Sequence, residues 1–141
     1  MVQAKFRVGV EDLSFDAAHY TKGVGGKCMN IHGHTFRVNV EVEGEVDPET
    51  GFVIDFSVLK KIVKEVIEEY DHKVIVPKKD VNGTFLKGKF KGEIKVLDYP
   101  EASTEYIALD IARKIYEKLN MPVKVKLFEG LRNYVIVEIR K

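Results

Sequence analysis

The chain has too few cysteines for a disulfide-stapled secreted protein, and it lacks the long apolar runs of a membrane protein. A single cysteine among 141 residues excludes an intramolecular disulfide framework and is typical of a reducing cytoplasm. No apolar run approaches the length that spans a bilayer, and the first residues do not resemble a signal peptide. The net charge of +1 does not indicate a nucleic-acid-binding surface. We therefore expect a cytoplasmic protein that binds neither nucleic acid nor membranes.

Glutamine is also nearly absent, since Gln3 is the only one, whereas charged residues make up 32% of the chain and are rich in lysine and glutamate. This bias is statistically typical of thermophilic proteins. The sequence contains no internal repeat or low-complexity segment, and 141 residues are enough to bury a substantial core. We expect residues 1–141 to form one domain of a protein from a thermophile.

Alternating apolar and polar residues predict two strands that bring three histidines together. Residues 36–43 alternate strictly, and the same parity carried back places His32 and His34 on the apolar face. The preceding strand alternates as well and, after a one-residue phase shift, ends at His19. Residues 20–31 are rich in glycine, as a wide hairpin loop can be. Antiparallel pairing would therefore place His19 beside the other two histidines.

Three histidines with a fourth position left open are the pattern of a catalytic zinc site. The alternative is packing, because a histidine on an apolar face is more often a hydrogen-bonded core residue, and His-x-His alone is a weak signal. Convergence of three histidines at one strand end, with Cys28 in the loop between them, favours a metal. We therefore expect His19, His32 and His34 to bind Zn²⁺.

Two helices are predicted after this strand pair. Asp55 is suited to cap a helix that extends to about Tyr70. Ser103 or Thr104 then caps a second helix, which ends at residues 120–122 because Pro122 cannot continue it. The predicted inner face of the first helix comprises Phe56, Leu59, Val63, Val66, Ile67 and Tyr70.

The remaining segments complete an α+β fold. Residues 77–100 are rich in turn residues, with a strand near Ile94 and Val96 and a short hairpin as a further reading. Residues 123–127 and 135–139 alternate and predict a last strand pair. The order ββααββ implies an antiparallel four-stranded sheet with both helices on one face. Such a sheet has two open edges, so association between chains is plausible.

Two segments around the predicted metal ligands have a distinctive sequence, Phe-Asp-Ala-Ala-His at residues 15–19 and Lys-Cys-Met-Asn-Ile-His-Gly-His at residues 27–34. They resemble the signature of the 6-pyruvoyl-tetrahydropterin synthase family, which includes 6-carboxy-tetrahydropterin synthase of the 7-deazaguanine (queuosine) pathway. Further matches follow in the family's order, and these are residues 51–56, Leu59, Lys60, Asp71, His72, Ser103, Thr104, Glu105 and Glu129.

The resemblance implies a particular assembly, which sequence patterns alone do not establish. Members of the family have the tunnelling fold (T-fold), in which subunits join their sheets edge to edge. Three subunits close one barrel, and two such trimers stack into a homohexamer with active sites between subunits. We expect the same assembly here.

The resemblance also implies a carbon–oxygen lyase that acts on 7,8-dihydroneopterin triphosphate with Zn²⁺ as cofactor. Cys28 would take a proton from carbon, because a nearby cation favours the thiolate form of a cysteine. Asp71 and His72 would join it in proton transfer, contributed by a neighbouring subunit. From the residues alone, a free cysteine is more often a small buried hydrophobe, but the flanking glycines and Lys27 make burial less favourable here and favour a catalytic role. Asp-His at a helix end equally reads as a cap.

Substrate binding is assigned to the C-terminal half by the same resemblance. The parity of residues 123–127 would turn Glu129 inward, where its two oxygens match the adjacent N–H donors of a pterin ring. Ser103, Thr104 and Glu105 match a stretch that lines the ring pocket, although either hydroxyl could serve only as a helix cap.

Products divide within the family. Some members form 6-pyruvoyl-tetrahydropterin, others form 6-carboxy-5,6,7,8-tetrahydropterin with loss of acetaldehyde, and a third group forms 6-hydroxymethyl-7,8-dihydropterin. The spacing of Cys28 and His32 resembles the carboxy branch, whereas Asn30 and Ile31 do not match the third group, in which a glutamate takes the role of the cysteine. The alternative from a different functional class is a protein that binds zinc and pterin without catalysis. Such a protein would not need the proton-transfer residues, so their presence argues against it.

The triphosphate requires positive charge. No G-x-x-x-x-G-K-[ST] loop is present, so the chain is not a P-loop enzyme. Lys22, Lys27 and Arg132 are the candidates for phosphate contacts. Asp16 stands where the family commonly has serine, with no evident consequence from sequence.

Overall fold

Two long strands formed by the alternating segments lie at the centre of a mixed six-stranded sheet, as seen in a computed structural model that describes residues 2–141. The strands follow the spatial order β4-β3-β1-β2-β5-β6. The elements are β1 (Phe6–His19), β2 (His32–Gly44), α1 (Phe56–Glu68), β3 (Val74–Pro77), β4 (Ile94–Leu97), α2 (Thr104–Leu119), β5 (Val123–Glu129) and β6 (Asn133–Ile139).

The predicted hairpin of β1 and β2 is confirmed, including the register that matters for the histidines. The two strands pair antiparallel over their whole length, with His19 opposite His32 and Ala17 opposite His34. The loop between them contains a short 3-10 turn, Lys27–Met29. The end of β1 and the start of β2 therefore meet at one end of the sheet.

A β-bulge explains the phase shift in β1. Val10 pairs with Val40 and Leu13 pairs with Val38, so β1 uses one residue more than β2 between these pairs. Asp12 lies in this bulge with a φ of 59°, and its backbone N–H donates to Asn39 Oδ1 at 3.0 Å. Residues beyond the bulge thereby keep their apolar side chains, and finally a histidine, on the helix-covered face.

Both helices begin where the sequence predicts. The carboxylate of Asp55 accepts a hydrogen bond from the backbone N–H of Ser57 at 2.7 Å and caps α1. The hydroxyl of Ser103 accepts from the backbone N–H of Tyr106 at 3.3 Å and caps α2. The prediction that Phe56 lies on the inner face of α1 is wrong, because this residue is 62% exposed. It is the first residue of α1 and precedes the turns that pack on the sheet.

The strands of both predicted pairs are present, but the sheet has six strands where four were expected, because two short parallel strands, β3 and β4, extend it at one side. Between residues 77 and 100 the structure has β4, as predicted, but no hairpin among these described residues, because β3 and β4 run parallel. A 3-10 segment, Lys78–Gly83, forms part of the connection between them. Strand β3 was not predicted, because a strand of four residues is too short to show an alternating pattern of apolar and polar residues.

The core lies between the helices and the inner face of the sheet. Phe15 and Phe36 stack there with ring centroids 5.0 Å apart. The Phe36 ring also packs roughly perpendicular to the rings of His19 and His34, at centroid distances of 5.6 and 5.7 Å. The aromatic core thus supports the histidines from below. No helix within residues 2–141 has the length and apolar character needed to cross a membrane.

Replacement of Asp12 tests the bulge. Left-handed backbone costs about 1–2 kcal/mol for a residue with a Cβ, and β-branched residues tolerate it least. We expect Asp12→Val to lower the free energy of unfolding by about that amount, measured by urea denaturation at a fixed protein concentration. Asp12→Asn is the control, since asparagine tolerates this conformation. Equal stability of the two variants would contradict the left-handed backbone conformation of residue 12 in the bulge.

Candidate active site

Three histidines form a cluster at the end of the sheet where β1 ends and β2 begins. One nitrogen from each of His19, His32 and His34 lies within 4.8 Å of the others. Their ring centroids are 4.8 to 5.3 Å apart. Among the described residues 2–141, this is the one group of histidine, cysteine or carboxylate side chains arranged to hold a metal ion.

Backbone carbonyls orient two of the rings. His19 Nδ1 lies 2.7 Å from the carbonyl oxygen of Ala102, and His32 Nδ1 lies 2.7 Å from that of Asn30. Because a carbonyl oxygen only accepts, Nδ1 carries the proton in each ring, and Nε2 is left with a free lone pair. This arrangement is typical of metal-binding histidines.

The inner nitrogens of the cluster lack hydrogen bonds. His19 Nε2 and His34 Nε2 are buried but have no hydrogen-bond partner. His19 as a whole is only 2% exposed, so solvent does not replace the missing partner. Glu129 lies close, with Oε1 3.2 Å from His34 Nε2 and Oε2 3.6 Å from His19 Nε2, but neither contact has hydrogen-bond geometry. Buried polar atoms are rarely left in this state.

Burial also lowers the pKa of His19, and this outweighs the opposing effects of the Ala102 carbonyl and Glu129. The ring is therefore neutral at neutral pH, the state that binds metals. A neutral His19 ring oriented by a carbonyl, beside two further imidazoles with nitrogens close to its Nε2, fits a divalent cation. The triad His19, His32 and His34 could hold a metal ion.

Glu129 is fixed by the start of α2. The buried hydroxyl of Thr104 donates to Glu129 Oε2. Of the two hydroxyls that the sequence left open as caps, Ser103 is therefore the cap and Thr104 contacts the carboxylate. Glu105 follows, exposed in the first turn of the helix.

A cavity of about 350 Å³ joins these groups. Cys28 lies on the 3-10 turn of the loop, is exposed, and lines this cavity together with His19 and His32. The full lining comprises His19, Thr21, Gly23, Cys28, His32, Glu101, Ser103, Thr104, Glu105, Tyr106 and Glu129. Two of the three clustered histidines, a cysteine and the Glu129 carboxylate thus line one space, as acid–base chemistry on a bound ligand requires.

Asp71 and His72 lie elsewhere in the chain. His72 Nδ1 is 3.0 Å from Asp71 Oδ2, and Asp71 Oδ1 accepts from the backbone N–H of Asp16 at 2.9 Å. The backbone N–H of His72 donates to the Asp16 carbonyl at 2.6 Å. His72 is 78% exposed and lines a different cavity, of about 490 Å³, together with His34 of the histidine cluster and Thr35. Within one chain, the pair does not share the cavity of Cys28.

The Asp71 carboxylate is held ionised. The backbone N–H of Asp16, and then His72, lower the pKa of Asp71 below its usual value. Asp16, the residue found where the family commonly has serine, also accepts a hydrogen bond from the Thr35 hydroxyl at 2.5 Å.

Sequence reasoning missed five residues of the site, of which Thr21 and Gly23 lie in the loop that carries Cys28. Ala102 acts through its backbone carbonyl, for which no side-chain pattern exists. Glu101 and Tyr106 line the cavity on either side of the cap at Ser103. Their nearness in sequence to the predicted ligand-binding stretch is the one signal that could have found them.

A family model described as 6-pyruvoyl tetrahydropterin synthase matches residues 9–140. The chain belongs to this family. A putative 6-carboxy-5,6,7,8-tetrahydropterin synthase of Pyrococcus horikoshii is 34% identical over 137 residues, covering 87% of this chain and 84% of that protein. A dihydroneopterin monophosphate aldolase of Pyrococcus furiosus is 39% identical over 120 residues, covering 83% and 84%.

Solved structures of the 6-pyruvoyl tetrahydropterin synthase family share the fold. The Plasmodium falciparum 6-pyruvoyl tetrahydropterin synthase superposes with a TM-score of 0.80 at 26% identity, covering 99% of this chain and 100% of that one. The predicted family and the T-fold with two helices on a curled sheet are thereby confirmed.

Loss of one histidine ligand should abolish tight metal binding. We expect His32→Ala to weaken binding of Co²⁺, followed by its visible absorption, by at least about 100-fold, more than loss of an outer-sphere partner costs. His72→Ala is the matched control, because its ring lies outside the cluster, and it should bind as the unmodified protein does. Equal affinity in both variants would show that the cluster is not the metal site.

Proposed function

We propose that the protein is a zinc-dependent carbon–oxygen lyase that converts 7,8-dihydroneopterin triphosphate, with elimination of triphosphate. The product is 6-carboxy-5,6,7,8-tetrahydropterin, in preference to 6-pyruvoyl-tetrahydropterin. The observation that carries this proposal is the shared cavity, which is lined by His19 and His32 of the histidine cluster, by the exposed Cys28 and by Glu129. The P. horikoshii relative supports the carboxy product.

Glu129 and Thr104 would bind the pterin ring. The two carboxylate oxygens can accept from the exocyclic amine and the adjacent ring N–H of a pterin, a bidentate and charge-assisted contact. The Thr104 hydroxyl already donates to one of these oxygens and restricts the rotation of the carboxylate. Glu129 also lies next to His19 and His34, so the ring would be held beside the metal site.

Cys28 would act as the base. Zinc bound by the three neutral imidazoles would supply a Lewis acid towards the side-chain hydroxyls of the substrate and favour loss of the neighbouring C–H proton. The Cys28 side chain lines the same cavity and, once deprotonated, would accept that proton. Departure of triphosphate then leaves an oxidised three-carbon side chain, and the pyrazine ring gains the corresponding two electrons, so no external reductant is needed. Addition of water to the carbonyl carbon next to the ring and cleavage of its bond to the following carbon would then release acetaldehyde and leave the 6-carboxylate.

Asp71 and His72 would complete proton transfer in the site of a neighbouring subunit. Their backbone is fixed to β1 through Asp16, while the His72 ring is exposed, as a group that reaches another chain must be. The ionised Asp71 carboxylate lies 3.0 Å from His72 Nδ1 and would orient the ring for proton transfer.

The charge of the cavity also points to a neighbouring chain. Its lining within residues 2–141 contains the carboxylates of Glu101, Glu105 and Glu129 but no lysine or arginine. Lys22 and Lys27 are exposed next to lining residues of the loop, and Arg132 is exposed near the end of β5. The triphosphate would be held at the mouth by these loop lysines and by cations of the adjoining subunit.

A homohexamer of two stacked trimers is the proposed assembly. The sheet ends in two edge strands, β4 and β6, and Tyr134 and Ile136 of β6 are large exposed hydrophobic residues. Pairing of β6 with β4 of the next chain would remove both edges and close a barrel.

Side-chain cleavage to 6-hydroxymethyl-7,8-dihydropterin is the second candidate function. It is favoured by the P. furiosus relative, described as a dihydroneopterin monophosphate aldolase, which matches this chain over most of its length. The same metal, base and ring anchor would serve, but the C–C bond breaks without loss of phosphate, and a two-carbon phosphorylated aldehyde leaves.

Substitution of Cys28 tests the activity. We expect zinc-loaded protein to release triphosphate from 7,8-dihydroneopterin triphosphate, and Cys28→Ala to lower the rate by at least about 100-fold, as for loss of a general base. Bound zinc should remain stoichiometric. Met29→Ala, an exposed neighbour on the same turn, is the control and should retain activity.

Mass spectrometry of the products separates the alternatives. Acetaldehyde indicates the carboxy branch, a retained three-carbon side chain indicates the pyruvoyl branch, and a phosphorylated two-carbon aldehyde indicates the aldolase. Pterin binding without turnover would refute the enzyme and indicate a carrier.

Mixing of two inactive variants tests whether the site is shared. If Cys28 and His72 act from different subunits, Cys28→Ala and His72→Ala refolded together should recover roughly a quarter of the unmodified activity, as random pairing at a shared interface predicts. Each variant refolded alone is the control. No recovery in the mixture, despite proven subunit exchange, would place both residues in one subunit's site.

A further inference from the structure

The loop that carries Cys28 is held to the rest of the fold at few points. Its own hydrogen bonds are local, such as Thr21 N–H to the Cys28 carbonyl at 2.7 Å and Met29 N–H to the Gly26 carbonyl at 3.2 Å. Residues 22–31 are all exposed. A thiol on such a segment needs an external contact to stay in register with the metal site.

Glu101 supplies that contact. Its Oε1 accepts from the backbone N–H of Lys22 at 2.8 Å, and its Oε2 accepts from Lys79 Nζ at 2.9 Å. The carboxylate is 27% exposed and lines the cavity. The Lys22 N–H, and then Lys79, lower the pKa of Glu101, so the carboxylate is ionised at neutral pH.

We propose that Glu101 is a positioning residue, which holds the start of the loop against the entrance to α2 and thereby keeps Cys28 over the cavity. Lys22 follows Thr21, whose N–H is bonded to the Cys28 carbonyl, so a fixed Lys22 backbone also fixes Cys28. This inference deepens the proposed function, since the position of Cys28 matters for catalysis only if Cys28 transfers the proton.

The same short segment orients the metal ligands and the ring anchor. Ala102 accepts from His19, and Thr104 donates to Glu129. Residues 101–104 therefore set the thiol, one imidazole and the carboxylate relative to one another. A displacement of about 1 Å in such an arrangement is costly for catalysis.

The competing explanation is that Glu101 forms only a surface ion pair with Lys79, which would contribute little. The two roles use different oxygens and different partners, so variants separate them. Glu101→Gln retains an acceptor for the Lys22 N–H but loses the charge. Glu101→Ala loses both contacts, and Lys79→Met removes only the ion pair.

Hydrogen exchange of zinc-loaded protein, followed by mass spectrometry, reads out the loop without any turnover. We expect Glu101→Ala to exchange about tenfold faster over residues 21–29, because a hydrogen bond to a charged group is lost. Glu101→Gln and Lys79→Met should stay within about twofold of the unmodified protein. Glu117→Gln makes the same glutamate-to-glutamine change as Glu101→Gln, but at an exposed site on α2, and serves as the matched control.

Kinetics then test the link to catalysis. With 7,8-dihydroneopterin triphosphate, Glu101→Ala should lower kcat about tenfold while KM changes less than about twofold and zinc content stays the same. Unchanged loop exchange in Glu101→Ala, or equal effects of Glu101→Ala and Lys79→Met, would overturn the proposal. Absence of turnover in the unmodified protein would refute the proposed function, whereas the exchange result would still decide the role of Glu101 in holding the loop.

Discussion

The pairing register of β1 and β2 is the constraint on which the site depends. Side chains alternate between the two faces of a strand, so a slip of one residue would send every core residue, and the histidines, to the opposite face. The bulge at Asp12 shifts the parity of β1 in the middle of the strand, so that Phe15 packs on Phe36 and His19 lies opposite His32. Burial of the aromatic pair and placement of the metal ligands are two results of one register.

The entrance to α2 provides the second constraint. Helix N-termini present backbone groups and capping side chains in fixed positions. Here the residues around the cap at Ser103 contact the metal cluster, the ring anchor and the cysteine loop. Strand register brings the histidines together, and this segment orients His19 and Glu129. The orientation of His19 therefore depends on a contact between residues 83 positions apart.

Sequence patterns predicted the parts that follow from periodicity. The alternation before Glu43 and the phase shift before Leu13 were enough to place His19 beside His32, because antiparallel pairing leaves few alternatives. The parity of β5 likewise placed Glu129 on the inner face, where it lies next to two of the histidines. Predictions of this kind require only the face of the strand on which each side chain lies, and alternation in the sequence indicates that face.

What could not be predicted depends on contacts that leave no periodic trace. The carbonyl of Ala102 has no side-chain signature, and β3 is too short to show alternation. The attachment of Asp71 to β1 through the Asp16 backbone is equally invisible in sequence, yet it places the Asp71–His72 pair at a cavity other than that of Cys28. The family resemblance, and not the residue pattern, raised the expectation that this pair serves a neighbouring subunit.

The central claim is that three imidazoles bind one divalent ion and leave a position open to an oxygen ligand. Zinc K-edge X-ray absorption of the zinc-loaded protein tests it most directly. The account predicts a first shell of nitrogen and oxygen at about 2.0–2.1 Å, with the outer-shell scattering of three imidazoles and no sulfur. A sulfur scatterer at about 2.3 Å would make Cys28 a ligand and not a base, and fewer than three imidazoles would contradict the proposed centre.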